Sequence, residues 1–191
     1  METKYYRLTN TESKWGDYGD ILISGMTSHL ERKDGLLQLE RTGPFQPNII
    51  ISGIGDLLVT NSFKERLQRS FPIFTFRPVI KRHIVHLDWT SWNLLADEPP
   101  IYPESGEPED YILELPHSDH TSNEMEDVWE LVIPYSGQST SNYAFSPDEE
   151  YNYQIMYPEN RLWIVVTESM MSWLRQNGAQ WLEFIECPKM S

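Results

Sequence analysis

Between His83 and Asn160 the chain has no lysine and no arginine, although that stretch carries 17 Asp and Glu residues. The remaining 113 residues hold 12 acids against all 15 Lys and Arg, a formal +3, so the middle segment supplies the whole of the net charge of −14. Carboxylates without countercharges repel one another and stay solvated, so the segment either remains mobile or faces outward as a negative field. The same imbalance argues against general nucleic-acid binding, because phosphate contacts need clustered cations and the basic residues here are scattered. A membrane surface is disfavoured for the same reason. A basic protein is the partner such a field attracts.

Cysteine is nearly absent too. Cys187 alone excludes an intramolecular disulfide and any cysteine-based zinc cluster, and it favours a reducing compartment, so the expected location is cytoplasmic. With no histidine near it in sequence, Cys187 reads as a buried or incidental thiol rather than a nucleophile. A Gly-x-Ser-x-Gly elbow, a phosphate loop and a dinucleotide fingerprint are all missing; Gly53-Ile54-Gly55 precedes the Leu57 strand, whereas a nucleotide loop would follow one. Met1 to Lys14 lacks the apolar core of a secretory signal, and no apolar run approaches the roughly 18 residues of a membrane span. No cofactor is expected, and the oligomeric state is left open.

What is present is enough for a sizeable core: 191 residues, with seven Trp, ten Tyr and seven Phe. Two segments share one pattern. Leu57 to Ser62 followed by Phe63 to Arg69, and Ile164 to Ser169 followed by Met170 to Gln176, each read as strand, turn and helix, with Thr60 or Thr167 placed to cap the helix. Phe63 and Leu67 in one helix, and Met170, Trp173 and Leu174 in the other, give each an apolar stripe, and Asn177-Gly178 closes the second. The runs Ile73 to Val79 and Trp181 to Glu186 then supply a second strand to each, as adjacent parallel neighbours or further apart.

Short strands are also expected at Asp20–Ser24, Leu36–Glu40, His83–Trp89, Tyr111–Leu115 and Val128–Ile133, with a break at Gly43–Pro47. Residues 96–110, 117–127 and 136–150 read as polar loops. The fold class is therefore α+β: a mixed sheet or sheets with two repeated strand-helix-strand units and long acidic loops. These form a single domain, 1–191, or two sub-lobes, 1–95 and 111–191, joined by the acidic loop 96–110.

Two His-x-x-His pairs, His83/His86 and His117/His120, raise the question of a metal site, the second with Asp119 and Glu124 close by. On a strand, residues three apart face opposite ways, so His83 and His86 would not converge. A metal-dependent hydrolase using His117, Asp119 and His120 is one alternative function, and a scaffold subunit whose acidic loop merely solvates is another. The tryptophans beside the acids are more suggestive, because an aromatic ring among carboxylates can stack on and pair with Arg and Lys of a partner. Trp92 leads into the acidic loop, and Trp129 stands among Glu126, Asp127 and Glu130.

The stretches Asn48 to Arg69 (IIISGIGDLLVTNSFKERLQ at 49–68), Phe76 to Val79, His86 to Trp89 and Leu162 to Arg175 (LWIVVTESMMSWLR) resemble immunity proteins of bacterial polymorphic-toxin systems. The similarity covers residues 48–92 and 161–186 and leaves out the acidic centre. It implies a small, acidic, cytoplasmic α+β protein that binds a toxin made by the same cell or its siblings, without catalysis. The function expected is then a non-enzymatic inhibitor of a cognate toxin with a basic surface. Asp97, Glu98, Glu104, Glu107, Glu109 and Asp110 would steer association, Trp92 or Trp129 with a few well-buried pairs would set dissociation, and Glu126, Asp127 and Glu130 complete the expected partner-binding set.

Overall fold

The structure is a computed structural model that describes residues 3–27, 31–53, 55–148, 153–160 and 163–190. Ile54, Glu149, Glu150 and Leu162, which belong to segments singled out above, lie outside the described residues. In chain order the first elements are β1 (Tyr5–Asn10), α1 (Asp17–Ser24), β2 (Gln38–Gly43), β3 (Ile49–Ser52), β4 (Asp56–Thr60), α2 (Asn61–Ser70), β5 (Phe76–Pro78) and β6 (Ile80–His86). A 3-10 turn at Trp89–Ser91 leads into the acidic segment, which ends at α3 (Asp110–Leu113) and is followed by α4 (Asp119–Glu124) and β7 (Val128–Leu131). The chain closes with β8 (Gln138–Ser139), β9 (Phe145–Ser146), β10 (Ile155–Met156), β11 (Ile164–Thr167), α5 (Glu168–Gln176) and β12 (Leu182–Glu186). This is an α+β fold, and among the described residues no helix is long and apolar enough to cross a membrane.

Contacts divide the chain into two compact units, Glu12–Leu131 and Met1–Thr11 with Val132–Ser191, and the acidic segment 96–110 lies wholly within the former. Each unit contains one of the two repeated motifs. Thr60 accepts a hydrogen bond from the Phe63 N–H (3.3 Å) to cap α2, and Thr167 accepts one from the Met170 N–H (3.3 Å) to cap α5. Helix α2 buries Phe63 and Leu67; α5 buries Met170, Met171 and Leu174, while Trp173 stays half-buried.

The two four-stranded sheets have one topology: β3-β4-β7-β5 in one unit and β10-β11-β1-β12 in the other, every neighbouring pair antiparallel. The strands flanking each helix are thus parallel but two places apart, with β7 or β1 between them. A helix about 10 Å wide spans two strand spacings of about 4.8 Å, which suits this wider crossover. Along the chain, β1 is followed by β3-β4-α2-β5, and β7 by β10-β11-α5-β12. The order is that of two successive copies of one plan that have exchanged their leading strands. Insertions in the first copy add a separate parallel pair, β2 with β6.

Several expected elements differ. Asp20–Ser24 belongs to helix α1, not to a strand, because Ile21-Leu22-Ile23 buries Leu22 and Ile23 and the acids Asp17 and Asp20 sit in the favourable first turn. In the expected strand Tyr111–Leu115, residues 111–113 belong to the one-turn helix α3, whose Ile112 packs with Met26 and Val85. Within the expected loops, Ser118 caps helix α4, and β8 pairs with β9.

Because β1 bridges β11 and β12, removing residues 1–10 leaves those two strands without a common neighbour. Hydrogen exchange of that truncated chain is expected to show lost protection at Ile164–Thr167 and Leu182–Glu186, with Leu57–Thr60 still protected.

Candidate functional site

The acidic segment is positioned by residues far from it in sequence. Ahead of α1, the Ser13 hydroxyl donates to the Gly16 carbonyl (2.8 Å) and Trp15 adopts a left-handed backbone with φ of 72°. A large side chain holds that conformation at a cost of about 1–3 kcal/mol, so other contacts must enforce it. Gly19 permits the turn, since a Cβ there would lie 1.9 Å from the Lys14 carbonyl oxygen. At the other end α1 is fixed to β2: Thr42 Oγ1 donates to the Leu22 carbonyl (3.1 Å), and Arg41 Nη2 donates to those of Ile23 (3.2 Å) and Phe45 (3.0 Å). Arg41 is fully buried, which pulls its pKa down to about 10. It stays cationic at neutral pH, where a helix C-terminus favours it.

From this base four donors grip the acidic segment by its carbonyls. Lys14 Nζ donates to Leu95 (2.6 Å), Trp15 Nε1 to Ala96 (3.0 Å) and the Tyr18 hydroxyl to Gly106 (2.5 Å), while the Tyr111 hydroxyl donates to Ile101. The same aromatic residues form a continuous chain of rings. Trp15 meets Trp92 at 6.0 Å, Trp92 meets Tyr111 at 6.0 Å, Tyr111 meets Tyr18 at 6.2 Å, and Tyr18 meets Tyr102 edge-on at 5.0 Å. Burial, with Tyr102 and Tyr18 adding to it, pushes the Tyr111 phenol up to about 12, so it remains a donor across the physiological range. Within the segment Ser105 Oγ donates to Asp110 (2.5 Å) and receives the Glu107 N–H (3.0 Å).

Outward from this frame, Asp97, Glu98, Glu104, Glu107 and Glu109 are exposed and Asp110 is half-buried. Among the described residues none of the five exposed acids is ion-paired. Asp17 and Asp20 on α1 are exposed as well, on the element that carries Tyr18. Sequence reasoning missed Trp15, Asp17, Tyr18, Asp20, Tyr102 and Tyr111. The signal available was the run Trp15-Gly16-Asp17-Tyr18-Gly19-Asp20, where aromatics, glycines and acids recur at short intervals.

Other expected site residues are engaged elsewhere. Trp92 is half-buried within the chain of rings, and Trp129 is covered by its own chain, with Lys64 Nζ 3.3 Å from the ring centroid and Nε1 donating to Asn61 (3.1 Å). Glu126 accepts from the N–H (2.7 Å) and the hydroxyl (3.0 Å) of Ser62 at the start of α2. Asp127 is exposed and lies 3.7 Å from Lys81 Nζ. Glu130 is buried and accepts two bonds from the Arg32 guanidinium, 2.8 and 2.9 Å. Trp129 and Glu130 are consecutive in β7 and point to opposite faces, so they cannot share one surface. Asp56 is also 3.5 Å from Arg32; burial holds its carboxyl above the usual range, with Glu130 adding to that and Arg32 and Thr27 opposing it.

The described histidines make local polar contacts. His117 Nδ1 accepts the Ile84 N–H (2.9 Å) and its Nε2 is 3.3 Å from Asp119, whereas His120 faces Glu124 at 3.3 Å. His83 Nε2 meets the carbonyls of Ile112 and Leu115, and His86 Nδ1 meets Thr121 Oγ1. Among the described residues no three His, Cys, Asp or Glu side chains are grouped so as to hold a metal ion. Cys187 packs near Phe145, Met156 and Val165, and burial raises its thiol to about 11.

The chain matches no family model, no curated protein and no solved structure. Fold and site define an α+β protein with an ordered acidic face backed by aromatic rings.

Three outcomes are expected. Glu130→Ala costs about 2–3 kcal/mol in urea unfolding, less than the roughly 3–5 kcal/mol of a fully buried pair because Arg32 is partly exposed. Gly19→Ala displaces the turn and weakens the Trp15 and Tyr18 contacts, read as a change in tryptophan fluorescence. Cys187 reacts slowly with thiol reagents at pH 8 in the folded protein and quickly in urea, since a pKa near 11 leaves little thiolate.

Proposed function

We propose that this protein acts by binding rather than by catalysis, as a cytoplasmic immunity protein that neutralises a toxin with a basic surface. The observation that carries this reading is the run of carboxylates from Asp97 to Asp110, without a cation in the segment and held in place by Lys14, Trp15, Tyr18 and Tyr111. A fixed array of exposed acids raises the rate at which a basic partner arrives and suppresses anionic competitors. It also resembles the charge of a nucleic-acid backbone, so a toxin that cleaves or modifies nucleic acid suits it. Carboxylates in such an interface would occupy the cleft that the toxin uses for phosphates.

Exposure of Asp97, Glu98, Glu104, Glu107 and Glu109, and the lack of an ion pair to any of them among the described residues, support their role in steering. Glu130 is not part of it, being bound to Arg32.

The test is a basic protein that is retained by this chain at low salt, is toxic when produced alone and is harmless when the two are produced together. Replacing Asp97, Glu98, Glu104, Glu107 and Glu109 by lysine is expected to slow its association by about tenfold or more at low salt, to flatten the salt dependence and to abolish protection. Unchanged kinetics in that variant would remove the proposal.

A further inference from the structure

We infer that the contact energy of this face resides in its exposed apolar side chains, and that its partner is a basic protein surface carrying apolar side chains among its lysines and arginines. The inference rests on the docking reading above and specifies the chemistry of the partner. In the unit Glu12–Leu131, the exposed large hydrophobic side chains among the described residues are Ile73 and five others: Leu94, Leu95, Ile101, Tyr102 and Leu113. Isolated exposed apolar residues are ordinary, but these five crowd into residues 94–113, a stretch that carries six carboxylates and no Lys or Arg. Leu95 is 85% exposed and Ile101 57%.

Their display is enforced by the scaffold. Lys14 holds the carbonyl of Leu95 and Tyr111 holds that of Ile101, so the backbone is gripped at the two of these five residues that are most open to water. A backbone fixed in advance loses little freedom on binding, which leaves more of the contact energy as affinity. Asp97 and Glu98 stand between Leu95 and Ile101, and Glu104, Glu107 and Glu109 between Tyr102 and Leu113, an apolar set interleaved with acids. Trp92 and Trp129 cannot play the anchoring part, being half-buried and covered within the chain.

A polycation without apolar groups meets only the carboxylates, and salt screens that attraction; apolar contact is not screened. Nucleic acid and anionic lipid are repelled. The two components can therefore be separated with two probes of equal charge, octalysine and a peptide alternating lysine with leucine, by calorimetry. At about 50 mM salt both bind; at about 500 mM octalysine is released while the lysine-leucine peptide keeps its affinity within about tenfold. The double variant Leu95→Ser, Ile101→Ser weakens the lysine-leucine peptide by about tenfold or more and leaves octalysine unchanged, and Ile73→Ser affects neither. Release of both peptides by salt alike, or indifference to the double variant, overturns the inference and leaves the acidic docking face standing. Failure of octalysine to bind at low salt overturns the docking face itself.

Discussion

A segment with no cation of its own cannot hold itself in place by ion pairs, and its carboxylates push one another apart. Besides a few internal hydrogen bonds, residues 92–110 are held by donors outside the segment that reach its backbone, where there is no net charge to repel. Lys14, Trp15 and Tyr18 do this from the start of α1, and Tyr111 does it from α3. Four hydrogen bonds of about 1 kcal/mol each and four aromatic pairs of about 0.5–1.5 kcal/mol each tie the segment to the rest of the unit, while the side chains stay solvated. The rest of the unit maintains that arrangement: Arg41 and Thr42 fix the end of α1, and Gly19 admits the Lys14 carbonyl beneath its start.

Carboxylates of one segment thus take two roles. Glu126 supplies an acceptor to the start of α2, and Glu130 locks Arg32 against the sheet; both stabilise the fold. Asp97, Glu98, Glu104, Glu107 and Glu109 have no ion-pair partner among the described residues and are exposed. The two four-stranded sheets follow one plan, and the exchange of β1 and β7 means that neither sheet is closed by its own stretch of chain.

The repeated motif was readable because its signals are local: a β-branched strand, a threonine cap and an apolar pair four residues apart, as in Thr60, Phe63 and Leu67. The charge asymmetry was readable by counting. Helix α1 was not, because Ile21-Leu22-Ile23 is a short apolar run that suits a strand or a helix equally, and only its packing against β2 decides. Nor was the frame of the site, since Trp15 and Tyr18 reach residues 92–106 across a long stretch of intervening chain. The separation of Trp129 from Glu130, by contrast, follows from strand alternation alone once β7 is recognised.

The central claim is that the acidic segment is an ordered display and not a solvated, mobile loop. Backbone order parameters for Leu95, Ile101 and Gly106 in the free protein measure this directly. Values near 0.85, falling in Tyr18→Phe, are what the gripped backbone predicts; values below about 0.6, unchanged by that substitution, would contradict it.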